Sequence, residues 1–134
     1  ALMSVAIPGN GQTSLLVEDD DSVRLINQEV LQELGYQVVV ARQAEEALRL
    51  LDGLSQLDLL VTDVGLPGGM NGRQLADAAR VGRPHLKVLF ITGYAEAAVL
   101  GDGDLEPGME VLTKPFAVDV LAARIREMLA RRTA

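Results

Sequence analysis

The chain alternates between short apolar runs and amphipathic stretches. Leu15-Leu16-Val17, Val38-Val39-Val40, Leu59-Leu60-Val61, Val88-Leu89-Phe90-Ile91 and Val111-Leu112 are continuous runs of strand length, as expected of strands covered on both faces. Between them apolar residues recur at steps of three and four. Val23, Ile26, Val30, Leu31 and Leu34 form one such stripe, Ala44, Ala47, Leu48 and Leu51 a second, and Val118, Leu121, Ala122, Ile125, Met128 and Leu129 the last. The pattern predicts strands at 13–18, 38–40, 57–62, 87–92 and 110–113, and helices at 22–34, from 44 to just before Gly53, at 72–80 and from 118 onward. Asp20 or Asp21 can cap the first helix, and Gly35 stands where a left-handed C-terminal cap belongs. The stretch 95–109 holds only a turn or two of helix-forming residues before Gly101-Asp102-Gly103-Asp104 and Pro107-Gly108, so a short helix and a long loop are expected there.

Strands alternating with helices at this spacing require right-handed crossovers, which build a parallel sheet with helices on both faces. The expected fold class is therefore α/β, a three-layer α/β/α sandwich. At 134 residues the chain supports one such domain with a core of its own. Residues 1–12 are weakly apolar, lack a basic leader segment and run into Gly9-Asn10-Gly11. They are expected to be a linker or a cloning remnant ahead of a domain spanning 13–134, and a start without Met suggests a piece of something longer.

Composition narrows the function. Aromatics are 3 % of the chain, too few for a base-stacking platform, and a net charge of −7 opposes nucleic acid and anionic lipid, so no direct nucleic-acid role is expected. No apolar stretch approaches the roughly 18 residues of a membrane span, so no membrane insertion is expected. The absence of Cys excludes thiolate metal sites and disulfides and fits a cytoplasmic location.

Chemistry collects at the strand ends. Glu18-Asp19-Asp20-Asp21 follows the first run, Asp63 and Gly65-Leu66-Pro67 the third, Thr92-Gly93 the fourth, and Thr113-Lys114-Pro115-Phe116 the fifth. In a parallel sheet these groups emerge at one edge, where ligands of such folds bind. Helix capping can account for Asp20 and Asp21. It accounts less well for Glu18 and Asp19, because like charges at the end of a buried strand repel unless a cation joins them, and a hard oxygen-preferring ion such as Mg²⁺ suits them. Asp63 can be a cap, a metal ligand or a nucleophile. The Gly- and Pro-rich residues after it cannot form a helix, so it is expected on a loop, displayed for function. The Thr92 hydroxyl can serve a strand turn or a phosphoryl oxygen. Lys114 is aimed by Pro115, which favours an extended or cis backbone, and a fixed cation there stabilises added phosphate charge. His85, in a polar approach to the fourth strand, is read as a solvated loop residue.

With these motifs in this order, the chain resembles the response-regulator receiver domains of two-component signalling over roughly residues 13–130. The resemblance implies a flavodoxin-like fold of five parallel strands in the order 2-1-3-4-5. It also implies Asp63 as phospho-acceptor, with Mg²⁺ (or Mn²⁺) on Glu18, Asp19, Asp63 and the Gly65 carbonyl, and Lys114 and Thr92 on the phosphoryl oxygens. The implied partner is a sensor histidine kinase or a phosphotransfer protein, and the domain accepts the group without being a turnover enzyme. Val111 stands three positions before Lys114, where relatives usually carry an aromatic residue. Together with the short 95–109 region, it bears on the family's Thr/aromatic coupling and on its common dimer face. The Gly68-Gly69 insertion and the Thr92-Gly93-Tyr94-Ala95 run resemble receivers of hybrid sensor kinases or stand-alone relatives.

Readings of other classes have cheap tests. An aspartyl-nucleophile phosphohydrolase would want a second Asp two residues after the first, where Gly65 stands, and would turn over p-nitrophenyl phosphate. A flavodoxin-type cofactor binder would need a Gly/Ser/Thr-rich phosphate loop after the first strand, where carboxylates stand instead. A receiver-fold interaction module would leave Asp63 unmodified. Gly65 and Tyr94, each two residues beyond a site residue, resemble positions that gate water attack in the family. Tyr94→Ala is accordingly expected to change the lifetime of the phosphorylated protein, and equal lifetimes for variant and parent would dismiss that role.

Overall fold

The computed structural model describes residues 11–93 and 105–130. In chain order these form β1 (Thr13–Val17), α1 (Asp21–Glu33), β2 (Gln37–Ala41), α2 (Ala44–Gly53), β3 (Leu59–Asp63), α3 (Gly72–Gly82), β4 (Lys87–Thr92), β5 (Met109–Thr113) and α4 (Val118–Ala130). The strands make one parallel sheet in the order β2-β1-β3-β4-β5, as expected of the flavodoxin-like class. The short helix anticipated within 95–109 falls largely on residues 94–104, outside the described residues.

The central strands β1, β3 and β4 are buried on both faces because the alternation along them feeds two separate cores, while β2 and β5 at the edges are only partly buried. Leu15, Val17, Leu60, Val88, Phe90 and Met109 pack on one face against Ala44, Ala47 and Leu51 of α2 and Leu75, Ala76 and Ala79 of α3. Leu16, Leu59, Val61, Leu89, Ile91 and Leu112 pack on the other face against Val30 and Leu31 of α1 and Leu121, Ile125 and Met128 of α4.

Helix ends follow local chemistry. Asp20 Oδ1 accepts from the Val23 amide at 3.0 Å, capping α1, and Gly35 takes φ +91° beyond its end. Asn71 and Gln74 form a reciprocal capping box that starts α3. Near its end Arg80 donates to the carbonyls of Leu86 and Pro107, both at 2.9 Å, tying α3 to the approaches of β4 and β5.

Two expectations are corrected. Asp63 is the last residue of β3, in register with Ile91, rather than a loop residue; the loop begins at Val64. On α1 the inward position is Asn27, while Ile26 is 50 % exposed. The buried stripe runs through 27, 30 and 31, and its register leaves Ile26 to one side. The Asn27 amide nitrogen has no hydrogen-bond partner among the described residues.

Ile125 is fully buried on α4, whereas Val81 at the end of α3 is 86 % exposed. Ile125→Ala should therefore lower the unfolding free energy by about 2–5 kcal/mol. Val81→Ala should stay within about 0.5 kcal/mol of the parent. Urea denaturation monitored by circular dichroism checks both.

Candidate functional site

Strand register builds the site. β1 and β3 are neighbours with Val17 opposite Thr62, so the next residue of each, Glu18 and Asp63, stand side by side at the carboxyl edge. The Glu18 amide still donates to Ala41 O at 3.0 Å, extending β1 toward β2. Between β1 and β3 the strand order reverses, and the crevice such a reversal opens is where ligands of these sheets bind.

Three carboxylates meet there. One oxygen each from Glu18, Asp19 and Asp63 lies within 4.8 Å of the other two. Glu18 and Asp63 are buried and Asp19 is exposed. Asp63 Oδ1 accepts from the Gly65 amide at 3.2 Å, and Lys114 Nζ stands 3.5 Å from Asp63 Oδ2. Lys114 is carried there by the β4–β5 pair: its amide donates to Thr92 O at 2.8 Å, and the Lys114–Pro115 peptide is cis. Glu18 Oε2 accepts from the Asp20 amide at 3.0 Å, and Arg24 donates to the Glu18 carbonyl at 3.0 Å. The same guanidinium pairs with Asp21 and holds that carboxyl below its ordinary range.

Glu18 carries the electrostatic cost of this arrangement. Burial, followed by the nearby Asp63 and Asp19 charges, outweighs the Asp20 amide and Lys114, and its pKa is pushed up to about 7. A hard cation would relieve that repulsion, so the set has the chemistry of an oxygen-ligand metal site.

Not every expected residue converges. The fully buried Thr92 turns its hydroxyl onto the Gly93 carbonyl at 3.0 Å. Val111 is half-buried against the α2/α3-side core, and Pro115 is exposed. Tyr94 lies outside the described residues. His85 is exposed, as expected. A cleft of about 360 Å³ at the opposite edge of the sheet includes Asp58, Arg83, His85 and Lys87 in its lining. Three of its charges have partners within the protein: Arg83 donates to Leu54 O, Lys87 to Met128 O, and Asp58 accepts from the Thr13 amide.

Gly72 went unnoticed in the sequence. A Cβ at this first residue of α3 would lie 2.1 Å from the Asp63 carbonyl oxygen. The available signal was a Gly opening a helix where Ala would be the better helix former.

A sequence model of the family described as response regulator receiver domain matches residues 15–126. The chain belongs to that family of two-component signalling domains. It is 37 % identical over 121 residues to sensor kinase CckA of Brucella abortus, covering 90 % of this chain and 13 % of that protein. It is 36 % identical over 115 residues to the response regulator receiver protein CpdR of the same organism, covering 86 % of this chain and 94 % of CpdR. Among solved structures, the receiver domain of the hybrid histidine kinase CckA superposes with a TM-score of 0.73 at 33 % identity, covering 87 % of this chain and 98 % of that one. The chain thus spans nearly all of a stand-alone receiver and a small fraction of a kinase. Receivers are signalling modules that interact with histidine kinases or phosphotransfer proteins. Among the described residues, no helix is long and apolar enough to cross a membrane.

The raised Glu18 pKa has a definite sign. Between the unfolded value near 4.5 and the folded value of about 7, the folded protein binds more protons, so stability falls as pH rises through that window. In chelator, Glu18→Gln should abolish this slope, which amounts to a few kcal/mol on linkage arithmetic. Urea midpoints of parent and variant at pH 5 and pH 8 provide the check, and parallel profiles would remove Glu18 as the cause.

Proposed function

We propose that this receiver accepts a phosphoryl group on Asp63 from a histidine kinase or phosphotransfer protein. One observation carries the reading: a buried carboxylate ends a central strand with a carboxylate pair on one side and an ammonium 3.5 Å away on the other. The donor set fits Mg²⁺, since it consists of hard oxygens close enough together for one small ion and includes a buried carboxyl whose ionisation is opposed by its neighbours. Glu18, Asp19, Asp63 and the Gly65 carbonyl would hold the ion, and Mn²⁺ would serve similarly. When bound, the ion supplies charge neutralisation to the phosphoryl oxygens.

The protein's own groups do the rest. Gly65 N–H and Lys114 hold the two Asp63 oxygens in place, so the attacking atom is oriented before the donor arrives. An Asp63 oxygen forms the new P–O bond while the P–N bond to the donor imidazole breaks, and the imidazole leaves with a proton. Lys114 then faces the acyl phosphate, and the Thr92 hydroxyl exchanges its bond to Gly93 O for one to a phosphoryl oxygen, coupling the new charge to the end of β4.

The similarity to the CckA receiver and to CpdR supports two settings, a domain of a hybrid sensor kinase or a stand-alone receiver. In either, the reaction belongs in the cytoplasm, where phosphohistidine is made from ATP.

Incubation with acetyl phosphate and Mg²⁺ should add the mass of one phosphoryl group to the parent. Asp63→Asn and chelator-treated protein should gain nothing. Absence of any gain would favour a receiver-fold interaction module, and turnover of p-nitrophenyl phosphate would favour a phosphohydrolase.

A further inference from the structure

The aim of the Asp63 carboxylate depends on the peptide that carries it, and that peptide is held from two sides. We propose that Gly72 and Thr62 are positioning residues for Asp63, an inference that rests on the phospho-acceptor reading above. Thr62 is fully buried and donates its hydroxyl to the Asp63 carbonyl oxygen at 2.9 Å. From the other side, α3 begins against the following peptide, where Gly72 N–H donates to Val64 O at 2.9 Å, and its Cα faces the Asp63 carbonyl. A Cβ on Gly72 would meet Asp63 O at 2.1 Å and both Asp63 C and Val64 Cα at 3.0 Å.

These obstacles are all backbone. At Gly108 the atom in the way is the tip of a side chain, Arg80, rather than backbone, and at Gly53, Gly69 and Gly82 a Cβ would meet nothing within 4 Å. Val64 has no slack to offer, because its amide donates to Ile91 O at 3.2 Å and its carbonyl also accepts from Leu66 at 3.0 Å. Nor can α3 retreat freely, with its start fixed by the Asn71–Gln74 capping box and Leu75, Ala76 and Ala79 buried in the core. Opening the 2.1 Å contact to the ordinary 3.4 Å takes more than an ångström of movement. That movement falls on the Asp63–Val64 peptide, shifting the nucleophile relative to Glu18, Asp19 and Lys114.

Phosphorylation rates with acetyl phosphate at saturating Mg²⁺ test this in the full chain. A misplacement of about 1 Å costs up to about a hundredfold in rate, so Gly72→Ala should be slowed at least about tenfold. Thr62→Val should be slowed severalfold, and Thr62→Ser, which keeps the hydroxyl, should recover most of the parent rate. Asn71→Ala weakens the start of the same helix without crowding Asp63, so it should lower the unfolding midpoint and slow the rate far less than Gly72→Ala. A folded Gly72→Ala protein reacting at the parent rate, or an Asn71→Ala protein slowed as much as Gly72→Ala, would overturn the proposal while leaving Asp63 as acceptor. If Gly72→Ala does not fold, Thr62→Val decides, and the parent rate there overturns the proposal. A parent that takes no phosphoryl group overturns the acceptor reading and this inference together.

Discussion

Two carboxylates removed from water at the ends of adjacent strands, with one ammonium facing them, set the terms for the rest of this molecule. Glu18 and Asp63 are neighbours because β1 and β3 are parallel and in register, with Val17 opposite Thr62. Lys114 reaches Asp63 because β5 ends beside β4, which ends beside β3. A slip of one residue in any of these pairs would turn a strand's side chains to the other face. The two apolar clusters oppose such a slip, since each strand feeds both of them with alternate residues. Core packing and site geometry are therefore one constraint expressed at two ends of the same strands.

The helices extend that constraint to the loops. The α3 start is capped by Asn71 and pressed against the Asp63 peptide, and Arg80 near its other end is bonded to the carbonyls of Leu86 and Pro107. One rigid element thus touches the β3 end and the approaches to β4 and β5. Arg124 on α4 donates to the Val111 carbonyl at 3.0 Å, holding the edge strand three residues before Lys114. Groups far apart in sequence share supports, so the ammonium and the carboxylate are held by the same framework.

Much of this was legible in the residues because apolar runs, caps and breakers are local signals. The strand runs, the Asp20 cap and Gly35 stand where the pattern put them, and Glu18, Asp19, Asp63 and Lys114 come together at the strand ends. Ile26 was misplaced because a periodic stripe does not say which of two adjacent positions a helix turns inward, and the core took Asn27. Asp63 was assigned to a loop because Gly and Pro follow it, whereas pairing with β4 carries β3 one residue further. Thr92 was expected among the site groups, yet its hydroxyl donates to the carbonyl of its own neighbour, Gly93, a choice that the residue types alone do not encode. Gly72 was legible only as a helix start: its closeness to a peptide nine positions earlier is created by packing, and a Gly opening a helix hints at a close approach without saying to what.

The balance of charge explains why such a pocket is suited to switching. Three carboxylates against one ammonium leave an excess of negative charge, visible in the reluctance of Glu18 to ionise. A divalent cation cancels that excess, and a phosphoryl group on Asp63 would restore part of it, since the acyl phosphate carries more negative charge than the carboxylate it replaces. The added charge needs donors, and among the described residues the supply beside Lys114 is small, because the Gly65 amide is on Asp63, the Asp20 amide is on Glu18 and Arg24 is divided between Glu18 O and Asp21. Thr92 is the donor whose present bond, to its neighbour's carbonyl, is cheap to exchange. Val111, an aliphatic residue packed into the α2/α3-side core, has no ring to swing in response. In the proposed switch the signal therefore leaves the site through Thr92 at the end of β4, since a two-state element responds only to the group whose interactions differ between its states.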